Sequence, residues 1–326
     1  MKIEMAHGGG GVQTNELIRT VFQKHLSNEY LDPMGDAAMV TVPSNRLAMT
    51  TDAFVVKPLF FPGGDIGRLS VCGTVNDLLM AGAKPMYLTA SFAIEEGLET
   101  DALERIVRSM RETADEAGVK IVAGDTKVVD GSGGLIITTA GVGAILGEPV
   151  SIANAKPGDR LILSGNLGDH HAAILSSRMG IENGIVSDEA PLGEMVSALQ
   201  GADIPLCAMR DVTRGGLATI LNEIAAASGC GIEVEKALIP VGREVRGLCE
   251  ILGLDPLYMG NEGKLIAVVP EERAQEALEI IRASRYGENA RFIGRAKAGK
   301  GVTLVTELGG RRVLPPLSGE GLPRIC

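Results

Sequence analysis

Apolar residues recur at helical or strand periods along most of the chain. Leu17, Ile18, Val21, Phe22 and Leu26 fall on one face of a helix. Asp65-Ile66-Gly67-Arg68 opens a second helix, which runs through Val71, Val75, Leu78, Leu79 and Ala81 until Gly82-Ala83-Lys84-Pro85 ends it. A third helix covers 101–118, with Leu103, Ile106, Val107, Met110 and Ala114 in period and Gly118 as its C-terminal cap. Short runs predict strands at 39–42, 47–52, 89–94, 121–123 and 135–140. Lys156-Pro157-Gly158-Asp159 reads as a turn and a domain boundary. Beyond it come a strand at 161–163, a helix begun by Gly168-Asp169-His170-His171, and a helix through Leu217, Ile220, Leu221 and Ile224. Strand 265–269, helix 271–282 and strands near 291–294 and 302–305 complete the series. Strands alternating with helices in both halves predict α/β or α+β domains.

Length agrees with that division, since 326 residues suggest two domains. The chain is 45% hydrophobic and 22% charged, an ordinary globular balance. A net charge of −10 argues against nucleic-acid or anionic-membrane partners. It leaves a phosphate ligand open, because Mg²⁺ held by carboxylates can mediate such a contact. No apolar run approaches the roughly 20 residues of a membrane helix. The first residues lack an apolar leader, so the cytoplasm is the expected compartment.

Acids are the first candidates for chemistry. Asp36, Asp52, Asp77 and Asp125 are each expected at or near the end of a predicted element, where they could converge on a hard cation. Asp is also common at turns and helix caps. Four of them beside the loop Gly8-Gly9-Gly10-Gly11 favour a Mg-nucleotide site. That loop is either a flexible leader or a set of backbone N–H groups closing over phosphate. In the second half, Arg210-Asp211-Val212-Thr213-Arg214-Gly215-Gly216 places guanidinium groups before a helix start. This suits an anion, although an Asp–Arg pair fixing a turn explains it too. Gly260-Asn261-Glu262-Gly263-Lys264 puts an acid between glycines at a strand start, as a turn residue or aimed at a ligand. The His170-His171 pair is expected in solvent at its helix start.

The five cysteines include no pair at metal-ligand spacing. Cys72, Cys207, Cys230 and Cys249 lie in apolar surroundings and are expected to be buried. Cys326 follows the Pro- and Gly-rich stretch 314–321, which has no structural period and reads as a mobile tail. Fully extended, residues 314–326 would reach roughly 40 Å. Cys326 is then either a frayed end or a thiol that visits more than one site.

Taken together, these stretches resemble the HypE family of hydrogenase maturation factors. The matching residues are Ala6-His7-Gly8, Thr51-Asp52, Pro58-Leu59-Phe60-Phe61-Pro62-Gly63-Gly64, Asn76-Asp77, Gly124-Asp125-Thr126-Lys127, Gly168-Asp169-His170, Arg210-Asp211 with Thr213-Arg214-Gly215-Gly216, Asn261-Glu262-Gly263-Lys264 and Pro323-Arg324-Ile325-Cys326. The acid and Arg-Gly-Gly motifs are shared with aminoimidazole ribonucleotide synthetase, thiamine-monophosphate kinase and selenophosphate synthetase. The terminal Pro-Arg-Ile-Cys distinguishes HypE. Where some relatives carry two acids, this chain has Asp36-Ala37.

The resemblance implies a two-domain fold like that of aminoimidazole ribonucleotide synthetase. Residues 1–155 would bind ATP and pair with a twin through strands in a homodimer. Residues 156–313 would form a sheet covered by helices, and 314–326 the tail. It implies nucleotide contacts from Gly9, Gly10, Asn76, Asp77, Thr126, Arg210, Asp211 and Arg214, and Mg²⁺ ligands among Asp36, Asp52, Asp77 and Asp125. By the same resemblance, Cys326 receives a carbamoyl group from the carbamoyltransferase HypF. ATP-dependent dehydration then yields a thiocyanate, with Lys127 and Glu262 near the cysteine. The cyanide passes to iron on a HypC–HypD scaffold for the [NiFe] hydrogenase site. A small-molecule kinase of the same superfamily and an ATP-sensing scaffold are the competing readings.

Overall fold

The computed structural model describes residues 2–35 and 37–319. Asp36 and Cys326 therefore lie outside the described residues.

The N-terminal half begins with a short turn of helix at Met5–Gly8, followed by α1 (Val12–Leu17), a π-helical stretch (Ile18–Gln23) and α2 (Lys24–Leu26). Then come β1 (Leu47–Phe54), β2 (Phe60–Phe61), β3 (Gly64–Asp65), α3 (Ile66–Met80), β4 (Lys84–Glu95), α4 (Thr100–Ala117), β5 (Lys120–Val129) and β6 (Leu135–Ala144). The main sheet runs in the order β1-β6-β4-β5. α3 is buried along most of its length, as its continuous apolar sequence demands. Asp65 caps it, accepting from Gly67 N and Arg68 N at 2.7 and 3.1 Å. α4 is amphipathic and packs against α3.

Strand alternation sends Leu135, Ile137, Ala90 and Phe92 toward these helices. The opposite face stays open and carries Leu47, Met49 and Ile136, exposed by 45, 74 and 40%. The segment 39–42, expected as a strand, makes no ladder and remains irregular. At four residues it is near the lower limit of strand length.

The C-terminal half contains β7 (Arg160–Leu163), α5 (Asp169–Met179), α6 (Gly193–Gly201), β8 (Ala208–Asp211), α7 (Gly216–Ser228), β9 (Gly231–Glu235), α8 (Arg243–Leu252), β10 (Leu265–Val269), α9 (Glu271–Ala283), β11 (Arg291–Lys297), β12 (Gly301–Val305) and β13 (Arg311–Val313). Its sheet runs in the order β13-β12-β9-β11-β7-β10-β8. β10 is buried at every residue, so both faces of the sheet are covered. α7 packs on one side, and α6 and α9 join a core continuous with the N-terminal half. α3 reaches β8 directly, which places the two sets of polar motifs side by side.

Two expectations are corrected. His170 and His171 are buried, at 0 and 3% exposure, not solvated. His170 Nδ1 meets Ser187 Oγ at 2.8 Å, and its ring lies edge-on to Phe61. Burial lowers the His171 pKa to about 4. The root of the tail is also fixed. Leu314 is fully buried, and its N–H donates to Val302 O at 2.9 Å. Asn222 Nδ2 donates to Leu314 O, Tyr258 Oη to Pro315 O and Leu317 N to Thr219 Oγ1, at 2.9, 3.1 and 3.1 Å. The stretch expected to be mobile is therefore anchored from Leu314 to Leu317. Leu314→Ala should destabilise the protein by about 2–5 kcal/mol in urea unfolding, the cost of a buried cavity.

Candidate active site in the cleft between the halves

β1 delivers Asp52 and α3 delivers Asp77 to one point. Thr50 Oγ1 donates to Asp77 Oδ2 at 2.7 Å. Burial raises the Asp52 pKa to about 6, and the Asp77 charge and a hydrogen bond between the two carboxyls push the same way. Asp211 ends β8 on the other side of the cleft and is 5% exposed. Its pKa rises to about 7, first through burial and then through repulsion from Asp77, partly offset by Arg210.

Glu262 completes the group. It lies on the loop before β10, where Leu265 pairs with Asp211. Burial, together with Asp211, Asp188 and Asp52, holds its carboxyl well above the usual range, and Arg214 opposes the shift. Arg214 itself is exposed on the turn into α7. That turn needs its glycines. Gly215 and Gly216 have φ of +79° and +63°, and a Cβ on Gly216 would lie 2.5 Å from the Tyr258 carbonyl carbon.

Other expected site residues sit elsewhere. The Asn76 side chain is committed to backbone groups. Its amide donates to Ala190 O at 3.0 Å and its oxygen accepts from Leu192 N at 2.9 Å. Through these bonds it braces the cleft. Arg210 pairs with Glu223 at 3.3 Å on the surface. Gly9, Gly10, Asp125, Thr126 and Lys127 line a separate cavity of about 330 Å³, with an apolar wall that includes Phe22 and Phe92.

The register sets two of these residues, Asp125 and Lys127, apart from Asp52. Asp52 is in a row with Thr139, Ala90 and Gly124, whereas Asp125 is in a row with Ser91, Thr138 and Ala53. Adjacent rows face opposite sides of a sheet. Asp125 and Lys127 therefore belong to the open face, and Asp52 to the helix-covered face. Asp52 lies near the end of β1, as expected, whereas Asp125 lies in the middle of β5. Of the three expected ligand acids among the described residues, Asp52 and Asp77 come together and Asp125 does not. Among the described residues, no three His, Cys, Asp or Glu side chains are grouped to hold a metal ion. Cys72, Cys230 and Cys249 are buried as expected, and Cys207 only partly.

The group behind Glu262 was not legible in the sequence. Glu189 and Lys264 are buried, and Asp188, whose side chain is only 5% exposed, pairs with Lys264 at 3.2 Å. Lys264 belongs to a motif already singled out, but Asp188 and Glu189 sit in an irregular segment with no local signature.

Comparison with known proteins agrees with this architecture. Residues 34–145 match the family described as AIR synthase related protein, N-terminal domain, and 156–307 match its C-terminal domain. The carbamoyl dehydratase HypE of Azotobacter vinelandii is 50% identical over 331 residues, covering 99% of this chain and 97% of that protein. A crystal structure of the hydrogenase maturation protein HypE in complex with ATP superposes with a TM-score of 0.96 at 46% identity, covering 99% of each chain. HypE in a HypE–HypF complex gives a TM-score of 0.81 at 45% identity, covering 94% of this chain and all of that one. With the fold, the cleft motifs and full-length identity in agreement, this chain belongs to the AIR synthase related proteins and, within them, to the HypE carbamoyl dehydratases of hydrogenase maturation.

Proposed function

We propose that this protein uses ATP to dehydrate a carbamoyl group carried on Cys326, leaving a thiocyanate that donates cyanide to the iron of a [NiFe] hydrogenase site. The observation that carries the reading is the carboxyl group of four, Asp52, Asp77, Asp211 and Glu262, assembled from both halves with Arg214 at its edge. Conversion of S–C(=O)NH₂ to S–C≡N removes one oxygen and two protons. Oxygen is a poor leaving group until the γ-phosphoryl group of ATP is transferred to it. It then departs as inorganic phosphate, and the nitrogen gives up its protons to a base. Glu262 suits that role because a carboxylate of raised pKa is a stronger proton acceptor. Arg214 is placed to offset phosphate charge. Lys127, on the open sheet face, would reach the reacting group only with the nucleotide and tail in place.

The acid pair also fits Mg²⁺. Its donors are hard oxygens, and a cation between the carboxyls would offset the burial and the repulsion from Asp77 that raise the Asp52 pKa. Mg²⁺ commonly takes one or two carboxylates and completes its shell with phosphate and water, so Asp52 and Asp77 suffice, with Asp211 nearby. The ion would supply charge neutralisation at the phosphates. Asp77→Asn should weaken Mg-ATP binding at least tenfold by calorimetric titration and leave carbamoylation of Cys326 unchanged. Since Asp52 must shed its proton to bind the ion, affinity should also fall as pH drops below about 6.

Partners follow from the same reading. The open face with Leu47, Met49 and Ile136 suits a second copy, in a homodimer that would bring Asp125 and Lys127 close to an interface. HypF would load Cys326, and a HypC–HypD complex would accept the cyanide. No helix among the described residues is long and apolar enough to cross a membrane. The direct test is mass spectrometry of the carbamoylated protein. Addition of ATP should remove about 18 Da, one water, from the C-terminal peptide; unchanged mass with ATP consumed would overturn the reading.

A further inference from the structure

Glu262 belongs to no helix or strand, yet its backbone is tied on both sides. Its N–H donates to Asp188 Oδ1 at 3.0 Å. Its carbonyl accepts from Ala190 N at 3.4 Å and lies 3.5 Å from Asn76 Nδ2. The second Asp188 oxygen pairs with Lys264 Nζ at 3.2 Å, and that ammonium also donates to Gly263 O at 3.1 Å. The side chains of Lys264 and Asp188 are only 10 and 5% exposed. Between them, Gly263 lets the two segments touch, since a Cβ there would fall 1.8 Å from the Asp188 carbonyl oxygen.

Segment 187–192 is bound equally firmly to the other half of the molecule. Ser187 N donates to Pro62 O at 2.8 Å. Ala190 and Leu192 are both held by Asn76, the neighbour of Asp77 on α3. One strap thus connects the helix that carries Asp77 to the loop that carries Glu262. Exchange of either contact for water would let the two acids drift apart, and reaction rates are sensitive to shifts of about 1 Å.

We propose that Asp188 is a positioning residue for the dehydration, holding Glu262 through its backbone N–H at a fixed place across the cleft from Asp77. The proposal rests on the reading of Glu262 as proton acceptor. Asp188 touches no reacting atom; it acts through Glu262, and its charge adds to the acids that favour the Glu262 proton.

The test follows loss of water from the carbamoylated full-length protein at saturating ATP, in parallel with ATP affinity. Asp188→Ala should slow dehydration by about 30-fold or more while ATP affinity stays within about twofold. Asp188→Asn keeps an oxygen for the Glu262 N–H and should stay within about fivefold of the parent. The double variant Asp188→Ala with Glu262→Gln should be no slower than Glu262→Gln alone, because both changes remove one function. A purely structural role would make the two losses multiply, and that result would overturn the proposal. So would a parent-like rate in Asp188→Ala. A parent-like rate in Glu262→Gln is a different failure, since it removes the proton-acceptor reading itself. If Asp188→Ala does not fold, Asp188→Ser, whose hydroxyl is too short to reach the same N–H, takes its place with the same expected loss.

Discussion

Cys326→Ala is expected to abolish thiocyanate formation completely while leaving ATP binding at parent strength. On the proposed reading the thiol carries the group being dehydrated, so no other residue can substitute for it. The four-carboxyl cleft is far from the last described residues in sequence and should be indifferent to the change. Equilibrium ATP titration and mass analysis of the tail after incubation with carbamoyl donor and HypF read the two properties separately. Cys326→Ser should fail in the same way, because a hydroxyl near neutral pH lacks the nucleophilicity of a thiolate. A small-molecule kinase would turn over ATP normally in both variants. Substantial ATP hydrolysis on a free substrate by Cys326→Ala would therefore replace the dehydratase reading with the kinase one.

Glu262→Gln should lower the dehydration rate by about 10² to 10⁴-fold, the usual worth of a positioned general base. The substitution is nearly isosteric, and the backbone contacts to Asp188 and Ala190 do not involve the side chain. Fold and ATP affinity should therefore survive. In the parent, burial and the surrounding acids raise the Glu262 pKa well above an ordinary carboxyl. Its deprotonated form is scarce at low pH and grows as pH rises, so the parent rate should increase with pH across that titration. In Glu262→Gln the increase should disappear. A slow variant that retained the parent pH profile would assign the proton transfer to another group. Linkage gives stability the opposite sense for these acids: a folded-state pKa above the unfolded one stabilises at low pH, and that contribution is lost as pH rises through it. For Asp211 the loss should be complete above about 7. His171 works the other way. Its pKa is lowered to about 4, so stability falls as pH drops from the ordinary imidazole value of 6.5 toward that figure.

The chain by itself determined α3, α4, α5, α7 and α9 and strands such as β1, β4, β6 and β10, because these depend on local period and on Gly and Pro, whereas α6, α8, β8 and β9 emerged only in the fold. α4 ends at Gly118, which adopts φ +68° as a C-terminal glycine should. The Arg210–Gly216 motif and Asn261–Lys264 were visible as unusual strings, and full-length resemblance carried the family. Tertiary structure alone decided which polar groups lose water. Asp52, Asp77, Asp211 and Glu262 acquire their shared electrostatics only when α3 packs on β8. Asp188 acquires a role only because Gly263 lets its segment approach. Asp125 falls on the other face from Asp52 because strand register sets orientation residue by residue. The buried histidines make the same point. Helix period places a side chain on a face, but long-range packing decides whether that face meets solvent or core.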